Sequence, residues 1–366
     1  HTVHLGEREC SLQRRHQKVI EEAHAPLLEN LEHGAQIRER IGAAAVAAAA
    51  SVDYVGAGTV EFLVSDENPE EFFFMEMNTR LQVEHPVTEQ VVRVDGQKLD
   101  LVDWQVRIAA GQPLDFEQHQ ISLQGHAIEA RLYAEDPSAG FLPSIGTVLK
   151  AIEPTGGHLR VDSSLRDGLE VSAHYDPMLA KLIAWGEDRS AALGRLDRAL
   201  SQTVVLGVLT NAEYLRLLLA DAEVAAGRLD TNLIERKMQE FIFRMPNARE
   251  LALAAHLEVQ RRPTSDSPWG QGDGWRLGSN LATQLHFEVN GEQLQLSVQH
   301  TGERSTVNIS GEEYAVQSLG DNGLSINGVR SSSHHAFAAD GTLWLSEDGW
   351  SGSVRRLTRQ EILEAK

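Results

Sequence analysis

The densest group of side chains able to do chemistry lies between residues 75 and 86. Acidic, amide and guanidinium groups alternate there with apolar ones, in the order Met75-Glu76-Met77-Asn78-Thr79-Arg80-Leu81-Gln82-Val83-Glu84-His85-Pro86. In an extended strand successive side chains point to opposite faces, so we expect one face to carry Glu76, Asn78, Arg80, Gln82 and Glu84. A solvated strand face is the plain alternative, but it has no need of Asn and Gln interleaved with carboxylates. The pattern therefore indicates a binding or catalytic face.

A further carboxylate, Glu61, lies in another run of strand-forming residues, 59–64. A strong turn separates this run from residues 72–75, and we predict that the two runs form a hairpin that brings Glu61 close to Glu76. Two carboxylates at one place repel each other unless a cation lies between them. Mg²⁺ fits such a place, because it takes few protein oxygens and completes its shell with phosphate and water.

The remaining groups of this region suit an oxyanion. Arg80 offers a planar fork of donors, which leaves Glu84 free to act as a general base. Residues 13–18 bring three cations and two amides into six residues, for which an exposed basic loop is the plain alternative. Lys18 together with Arg80 would suit a small anion such as bicarbonate or phosphate.

The elements that must position these residues change in character near residue 240. Before it, short strands are mixed with helical periodicity, at 37–49, 99–110, 188–201 and 211–226. After it, one helix over 248–258 is followed by short alternating strands, and Asn290-Gly291 between two of them is a strong hairpin signal. We predict an α+β protein with two portions, 1–240 and 241–366, the second being a small antiparallel β-barrel or sandwich with one helix.

Composition limits the classes of protein to which the chain can belong. Its 366 residues suit two domains, and no apolar run approaches the roughly 18 residues of a membrane span. With 33 Lys and Arg against 53 Asp and Glu, the formal net charge is −20, which argues against a nucleic-acid or anionic-membrane partner. The single cysteine, Cys10, excludes an internal disulfide and a cysteine-based zinc site, and fits a reducing compartment.

Eight motifs follow one another between residues 7 and 181: Glu7–Ser11, Arg14–Lys18, Gly56–Phe62, Glu76–Pro86, Gly125–Arg131, Ala134–Pro137, Phe141–Pro143 and Tyr175–Lys181. By these motifs and their order, the chain resembles biotin carboxylase over about residues 1–240. The resemblance implies an ATP-grasp fold and a reaction in two stages. ATP and bicarbonate give carboxyphosphate, and the released CO₂ is captured by the ureido nitrogen of biotin.

The same resemblance implies roles for individual residues. Mg²⁺ (or Mn²⁺) and the nucleotide phosphates would be held by Glu61, Glu76 and Asn78. Bicarbonate would be bound by Lys18, Arg80, Gln82, Val83 and Glu84, with Glu84 as the base that deprotonates it. The biotin enolate would be stabilised by Arg160. The ATP site would be lined by Gln13, His16 and Leu63.

Residues 241–366 resemble, more loosely, the helix-plus-barrel domain of the biotin-bearing α subunits of acyl-CoA carboxylases. That domain contacts the carboxyltransferase (β) subunit, so the resemblance implies a hetero-oligomer of α and β subunits. It favours α subunits that act on 3-methylcrotonyl-CoA in leucine breakdown. Those for propionyl-, acetyl- and geranyl-CoA remain alternatives, because the β partner selects the acyl group. The implied location is the cytoplasm in a bacterium and the mitochondrial matrix in a eukaryote.

Two features of the family are missing from the 366 residues. The N-terminal nucleotide-fold domain and glycine-rich ATP lid precede the position that matches His1, and no Ala-Met-Lys-Met biotin-acceptor motif occurs. We therefore expect a segment of a longer subunit that does not turn over ATP by itself, with biotin on a biotinyl domain beyond Lys366. A different ATP-grasp ligase and an assembly module with an inactive enzymatic half are the other hypotheses. Arg160 and the complete polar face of residues 76–84 count against them.

Overall fold

The computed structural model describes residues 1–262, 281–320, 323–347 and 349–364. The strands of the first third are β1 (Gln13–Arg14), β2 (Gln17–Lys18), β3 (Ile20–Ala23), β4 (Thr59–Val64), β5 (Phe72–Asn78), β6 (Val92–Val94) and β7 (Gln97–Lys98). The helices of this stretch are α1 (Pro26–Glu29), α2 (Gly34–Ser51), α3 (His85–Val91) and α4 (Leu101–Ala109). None of the helices in the described ranges is both long and apolar enough to cross a bilayer.

The middle of the chain builds the central sheet. Its strands are β8 (Ile121–Leu123), β9 (His126–Tyr133), β10 (Glu135–Asp136), β11 (Leu142–Pro143), β12 (Gly146–Thr147), β13 (Lys150–Ile152), β14 (Leu159–Ser163), β15 (Glu170–Val171), β16 (Met178–Gly186) and β17 (Val204–Leu206). Its helices are α5 (Arg189–Gln202), α6 (Ala212–Ala220), α7 (Ala222–Ala225) and α8 (Leu233–Lys237).

The central sheet has four antiparallel strands in the order β14-β16-β9-β3. One of its faces packs on α5 and α6 and forms an apolar core that includes Ile128, Leu182, Leu196 and Leu215. Because side chains alternate along a strand, the residues between these apolar ones point to the other face, which lies against α3. The sheet therefore separates an apolar core from the side on which α3 and its N-terminal residues are held.

The predicted hairpin is confirmed. β4 and β5 pair antiparallel with Glu61 directly opposite Glu76, and a bulge follows Glu61. The expectation of one extended face as far as Glu84 is wrong beyond Asn78, where β5 ends. Pro86 stands in the first turn of α3, and Glu84 is the N-cap residue of that helix. Proline is favoured in the first turn of a helix but cannot take part in a continuing ladder, so the chain turns into α3.

The last third forms a second unit. Its strands are β18 (Thr283–Val289), β19 (Glu292–Thr301), β20 (Arg304–Ile309), β21 (Glu312–Ser318), β22 (Leu324–Ile326), β23 (Val329–Ser331), β24 (His334–Phe337), β25 (Leu343–Glu347) and β26 (Trp350–Arg356). Its helices are α9 (Ala248–Gln260) and the short α10 (Arg359–Glu364). The sheet order runs from β23 through β22, β21, β20, β19, β18, β26 and β25 to β24.

Helix α9 lies against the inner side of this curled sheet and is buried along nearly its whole length. Asn247 and Glu250 form a reciprocal capping box at its start, which satisfies two backbone donors. The predicted helix and the predicted turn are both confirmed: Val289 pairs with Glu292 across Asn290-Gly291, and both turn residues have the positive φ of a type I′ turn. The core of this unit includes Phe287. The division at residue 240 stays a prediction.

Candidate active site

The hairpin of β4 and β5 carries a cluster of oxygens and amides. The Asn78 side-chain amide donates to Oε1 of Glu61 at 3.2 Å and to Oε1 of Glu76 at 3.0 Å. The Gln82 amide donates to the same Glu61 oxygen at 2.7 Å. Glu76 is exposed and Glu61 is half-buried. The two carboxylates thus sit side by side, tied by amides and open to solvent on one side.

Glu84 lies next to this cluster but is only 2% exposed. Its Oε1 accepts from Nζ of Lys18 at 2.5 Å, and its Oε2 accepts from Nη2 of Arg131 at 3.1 Å. Burial alone would raise the pKa of Glu84, but the hydrogen bond and charge of Lys18 outweigh it, so the pKa lies below its usual range. The Cys10 thiol is 3.9 Å from Oε1, and burial raises the pKa of that thiol, which keeps it protonated. Glu84 is therefore an ionised carboxylate held at both oxygens.

Lys18 lies between the carboxylates of the β4–β5 hairpin and the buried carboxylate of Glu84. Its Nζ is 3.5 Å from Oε1 of Glu61 as well as 2.5 Å from Glu84. It is placed there by the tight hairpin of β1 and β2, in which Gln13 lies opposite Lys18. The two residues between these strands, Arg15 and His16, have positive φ. The basic segment is thus a hairpin, with Lys18 at the site and His16 exposed at the tip.

Arg160 and Val83 belong to a neighbouring network that contacts α3 through Glu89. The Arg160 guanidinium donates to both oxygens of Asp162 at 2.7 and 3.0 Å and to Oε2 of Glu89 at 2.6 Å. Burial disfavours the charged form of Arg160, yet the hydrogen bonds that its guanidinium donates to Asp162 and Glu89 raise its pKa. Nζ of Lys181 donates to the Val83 carbonyl at 2.8 Å and is 3.4 Å from Asp162.

Three predicted site residues lie outside these hydrogen-bond networks. Arg80 is exposed, and within the described residues its guanidinium donates to the Leu81 carbonyl at 3.4 Å. Leu63 is exposed on the β4–β5 hairpin, opposite Phe73. His16 is exposed as described above. The roles given to all twelve residues by resemblance stay predictions.

Three family models match successive stretches of the chain. They describe the ATP-binding domain of the carbamoyl-phosphate synthase L chain over residues 1–117, the biotin carboxylase C-terminal domain over 129–236, and the BT domain of the methylcrotonyl-CoA carboxylase α subunit over 247–359. The chain belongs to the biotin carboxylase family.

Curated relatives agree with the family models. The mitochondrial methylcrotonoyl-CoA carboxylase subunit alpha of Dictyostelium discoideum is 43% identical over 312 residues, which cover 82% of this chain and 43% of that protein. The biotin carboxylase of Halalkalibacterium halodurans is 46% identical over 239 residues, covering 65% of this chain and 50% of that one. The chain thus spans at most half the length of either relative.

A solved structure supports the fold. The biotin carboxylase domain of Hydrogenobacter thermophilus 2-oxoglutarate carboxylase, in complex with MgADP, ADP and bicarbonate, is 39% identical with a TM-score of 0.61. The match covers 66% of this chain and 51% of that one. Together with the BT-domain match, it confirms the expected fold class, an ATP-grasp portion of biotin carboxylase followed by a small antiparallel β unit.

Sequence reasoning missed three cations of the site. Arg8 donates from Nη2 to Oε1 of Gln82 at 2.6 Å. Because guanidinium only donates, this bond turns the Gln82 amide nitrogen toward Glu61. Arg131 and Lys181 are the other two. A sequence pattern could have revealed them, because charged residues stand at alternate positions of an otherwise apolar strand, as Glu129 and Arg131 do in β9. Such alternation indicates a polar inner face of the sheet.

Proposed function

We propose that this chain supplies the part of a biotin carboxylase that activates bicarbonate and faces biotin, within the α subunit of an acyl-CoA carboxylase. One observation carries the proposal: the buried carboxylate of Glu84 is held between Lys18 and Arg131, next to a hairpin that presents two further carboxylates. A carboxylate that is fixed, ionised and adjacent to a cation suits a base for an anionic substrate.

The oxygens of the hairpin fit a divalent cation with nucleotide phosphates. Glu61 and Glu76 lie opposite each other, and Asn78 bridges them. Within the described residues no group of three or more His, Cys, Asp or Glu side chains could hold a metal by itself. Two carboxylates and an amide suit Mg²⁺ or Mn²⁺, which takes phosphate oxygens and water for the rest of its shell. Such an ion supplies charge neutralisation at the phosphates during transfer.

Lys18 and Glu84 would act on bicarbonate together. An anion bound at Lys18 competes with Glu84 for this cation and so weakens the Lys18–Glu84 pair. The pKa of Glu84 then rises toward its usual range, which makes Glu84 a better proton acceptor. Gln82 and the exposed fork of Arg80 would complete the anion site. With its proton taken by Glu84, bicarbonate would attack the terminal phosphorus of ATP, and ADP would leave. The carboxyphosphate formed would then break down to CO₂ and phosphate.

Biotin, when bound, supplies the ureido nitrogen that accepts the CO₂, and the proton of that nitrogen would pass to the phosphate released from carboxyphosphate. Arg160 lies beside α3 and is fixed by Asp162 and Glu89. A guanidinium in that position would stabilise negative charge on the ureido oxygen. Gln13, His16 and Leu63 would face the nucleotide.

The wider assignments rest on similarity. The BT-domain match and the Dictyostelium relative support 3-methylcrotonyl-CoA as the acyl substrate and a carboxyltransferase β subunit as partner. They also support a biotinyl domain as the carrier and a role in leucine breakdown. We place the division of the chain at residue 240, with residues 241–366 contacting the β subunit. The location would be the cytoplasm in a bacterium or the mitochondrial matrix in a eukaryote.

The test uses a carboxylase subunit of the relatives' length that contains this chain. Phosphate release from ATP should require bicarbonate and Mg²⁺ and should increase when free biotin is added. With the β partner, product formation should be fastest for 3-methylcrotonyl-CoA among the four acyl-CoA candidates. ATP cleavage that is indifferent to bicarbonate and biotin would contradict the proposed function.

A further inference from the structure

Strand β9 loses its neighbour β3 at the position of Arg131. The pairing of the two strands begins at Ile20, which lies opposite Ala130. One residue further, the Arg131 N–H still donates to the Val19 carbonyl at 3.1 Å, but the Val19 N–H donates to the Leu12 carbonyl at 2.9 Å. In a continuing antiparallel ladder the paired residues would exchange both bonds. The chain therefore leaves the sheet at Val19 and takes away the donor that the Arg131 carbonyl would have had.

This departure brings Lys18 to the site. Leu12 and Val19 flank the β1–β2 hairpin, and the bond between them closes it. Lys18 is the last residue of β2, and its Nζ is 2.5 Å from Oε1 of Glu84. The other oxygen, Oε2, is 3.1 Å from Nη2 of Arg131. Because the chain leaves the sheet here, the two cations reach Glu84 from β2 and from β9.

Asn211 occupies the edge of β9 that β3 has left. Its Nδ2 donates to the Arg131 carbonyl at 3.1 Å, and its Oδ1 accepts from the Tyr133 N–H at 2.8 Å. Its own N–H donates to the Tyr133 carbonyl at 3.1 Å. Alternate residues of a strand bond to the same edge, and an amide side chain carries a donor and an acceptor side by side, as a peptide group does. Asn211 is 2% exposed, so removal of its side chain would leave two backbone groups without a partner, which is costly.

The opposite edge of β9 is also irregular at this end. There β9 pairs with β16, and the register shifts between Met178 and Ala180, which face Tyr133 and Leu132. A bulge of this kind disrupts the ladder locally and bends the strand. The end of β9 thus lacks a regular neighbour on both edges, and Asn211 ties it to the helices that cover the sheet.

Helix α6 begins at Asn211 but does not use its side chain. Asn211 is the N-cap residue of α6, a position at which asparagine usually accepts from a backbone N–H of the first turn. The Asn211 side chain makes no such bond, and the Thr210 hydroxyl accepts from the Ala212 N–H at 3.5 Å instead. Both polar groups of the Asn211 side chain therefore serve β9 rather than the helix.

We propose that Asn211 is a positioning residue for the carboxylase site: it holds the backbone of Arg131 where β3 has left the sheet, and so fixes the guanidinium that holds Glu84. This inference rests on the proposed function of Glu84. A displacement of about 1 Å in a reacting group costs about 100-fold in rate. Because the bond of Arg131 to Val19 remains when Asn211 is changed, we expect a smaller displacement and a loss of about tenfold.

The experiment measures bicarbonate-dependent ATP cleavage in a subunit of the relatives' length. Asn211→Ala should lower kcat about tenfold and leave the KM for ATP within about twofold, because the Asn211 side chain is bonded to β9 and the nucleotide residues are proposed on the hairpins. Asn211→Ser keeps a hydroxyl that can bond one of the two backbone groups. Its kcat should lie between those of the parent and the alanine variant, and it also serves if the alanine variant does not fold.

A double-mutant cycle tests whether Asn211 acts through Arg131. In an Arg131→Met background, where radiolabelled ATP is needed to follow the residual rate, Asn211→Ala should cost less than about threefold in kcat. A general loss of packing would instead lower kcat by the same factor in both backgrounds.

Asn247→Ala is the matched control. Asn247 is also the N-cap asparagine of a helix, α9, and its side chain also accepts from a backbone N–H, that of Glu250 at 3.0 Å. This bond lies in the β unit. The control should therefore keep kcat within about twofold of its parent in both backgrounds.

The outcomes separate this inference from the proposed function. A parent subunit without bicarbonate-dependent cleavage overturns both. If the parent is active but Asn211→Ala keeps kcat within about threefold, this inference is wrong. It is also wrong if Asn211→Ala costs as much in the Arg131→Met background as in the parent, because the loss then does not pass through Arg131. In either of these two cases the proposed function stands.

Discussion

At the scale of single residues, the decisive test concerns Glu84. Glu84→Gln keeps the shape of the side chain but removes the proton-accepting charge. Bicarbonate-dependent ATP cleavage should fall by at least about 100-fold, which is the usual contribution of a general base. MgATP binding should change by less than about threefold, because Glu84 does not lie on the β4–β5 hairpin. Rate and binding are measured by phosphate release and calorimetry.

Glu22→Gln is the control for this variant. Glu22 is 1% exposed and is paired with His126 and Arg189. Glu22 is therefore buried to a similar extent as Glu84, and its substitution by glutamine likewise removes the charge from a buried ion pair. Equal loss of cleavage in the two variants would mean that any buried charge matters and that Glu84 is not the base.

Substitution of Arg160 should affect only the second stage of the proposed reaction. Arg160→Met removes the donors proposed for the biotin oxygen. Transfer of CO₂ to free biotin should fall by about 100-fold, while bicarbonate-dependent ATP cleavage without biotin stays within about threefold. Both are followed with labelled bicarbonate and by phosphate release. Arg195→Met is the control, because Arg195 has similar exposure and an ion pair with Glu187. Loss of both stages would assign Arg160 a structural role.

The residue types of the site could be predicted from sequence, but their contacts could be predicted only in part. Glu61 and Glu76 were placed together correctly because alternation and a turn define a hairpin locally. The contact of Glu84 with Arg131 could not be found in this way. It joins residues 47 positions apart, and tertiary packing alone sets such a distance.

At the scale of elements, α9 should make the β unit sensitive to acid. His256 on α9 is fully buried, with Ser305 at 2.7 Å from Nδ1 and Ser318 at 2.9 Å from Nε2. Burial, with the nearby His300 and His335, lowers the pKa of His256 to about 4 from 6.5. Between these pH values the unfolded chain binds a proton that the folded one does not. The free energy of unfolding of the β unit should therefore have its full value above about pH 6.5 and should fall by about 3 kcal/mol as the pH falls toward 4.

This dependence is measured by urea unfolding followed with hydrogen exchange in peptides of β19–β21. In His256→Asn the loss between the two pH values should be smaller by about 3 kcal/mol. His286→Asn, on β18 of the same unit, should keep the slope of the parent. An identical slope in His256→Asn and the parent would show that other groups cause the acid sensitivity.

Elements were predicted well wherever local signals determine them. The two-residue turn at Asn290-Gly291 needs positive φ at both positions, which these residue types favour. The predicted helix over 211–226 is interrupted, because Asp221 ends α6 and caps α7. The continuation of β5 toward Glu84 failed because the pattern of polar residues persists through a turn that Pro86 imposes.

At the scale of the whole molecule, we expect that damage to the core of the β unit leaves the core beside the central sheet intact. Phe287→Ala empties a fully buried position in the core of the β unit and should destabilise that unit by about 4 kcal/mol. Binding to the carboxyltransferase subunit should weaken, while bicarbonate-dependent ATP cleavage stays within about threefold. Sedimentation with the β partner and phosphate release measure the two effects. Parallel loss of both would argue against a division near residue 240.

Lys18 would give this molecule a thermodynamic link between its two proposed ligands, the metal-nucleotide and bicarbonate. One ammonium group neutralises Glu61 on the hairpin and Glu84 at the helix. A divalent cation seated at Glu61 removes that carboxylate from the competition for Lys18 and leaves more of its charge for an anion. By reciprocity the anion strengthens binding of the cation by the same factor. Metal-nucleotide and bicarbonate should therefore bind cooperatively, through a single side chain and without movement of either strand pair.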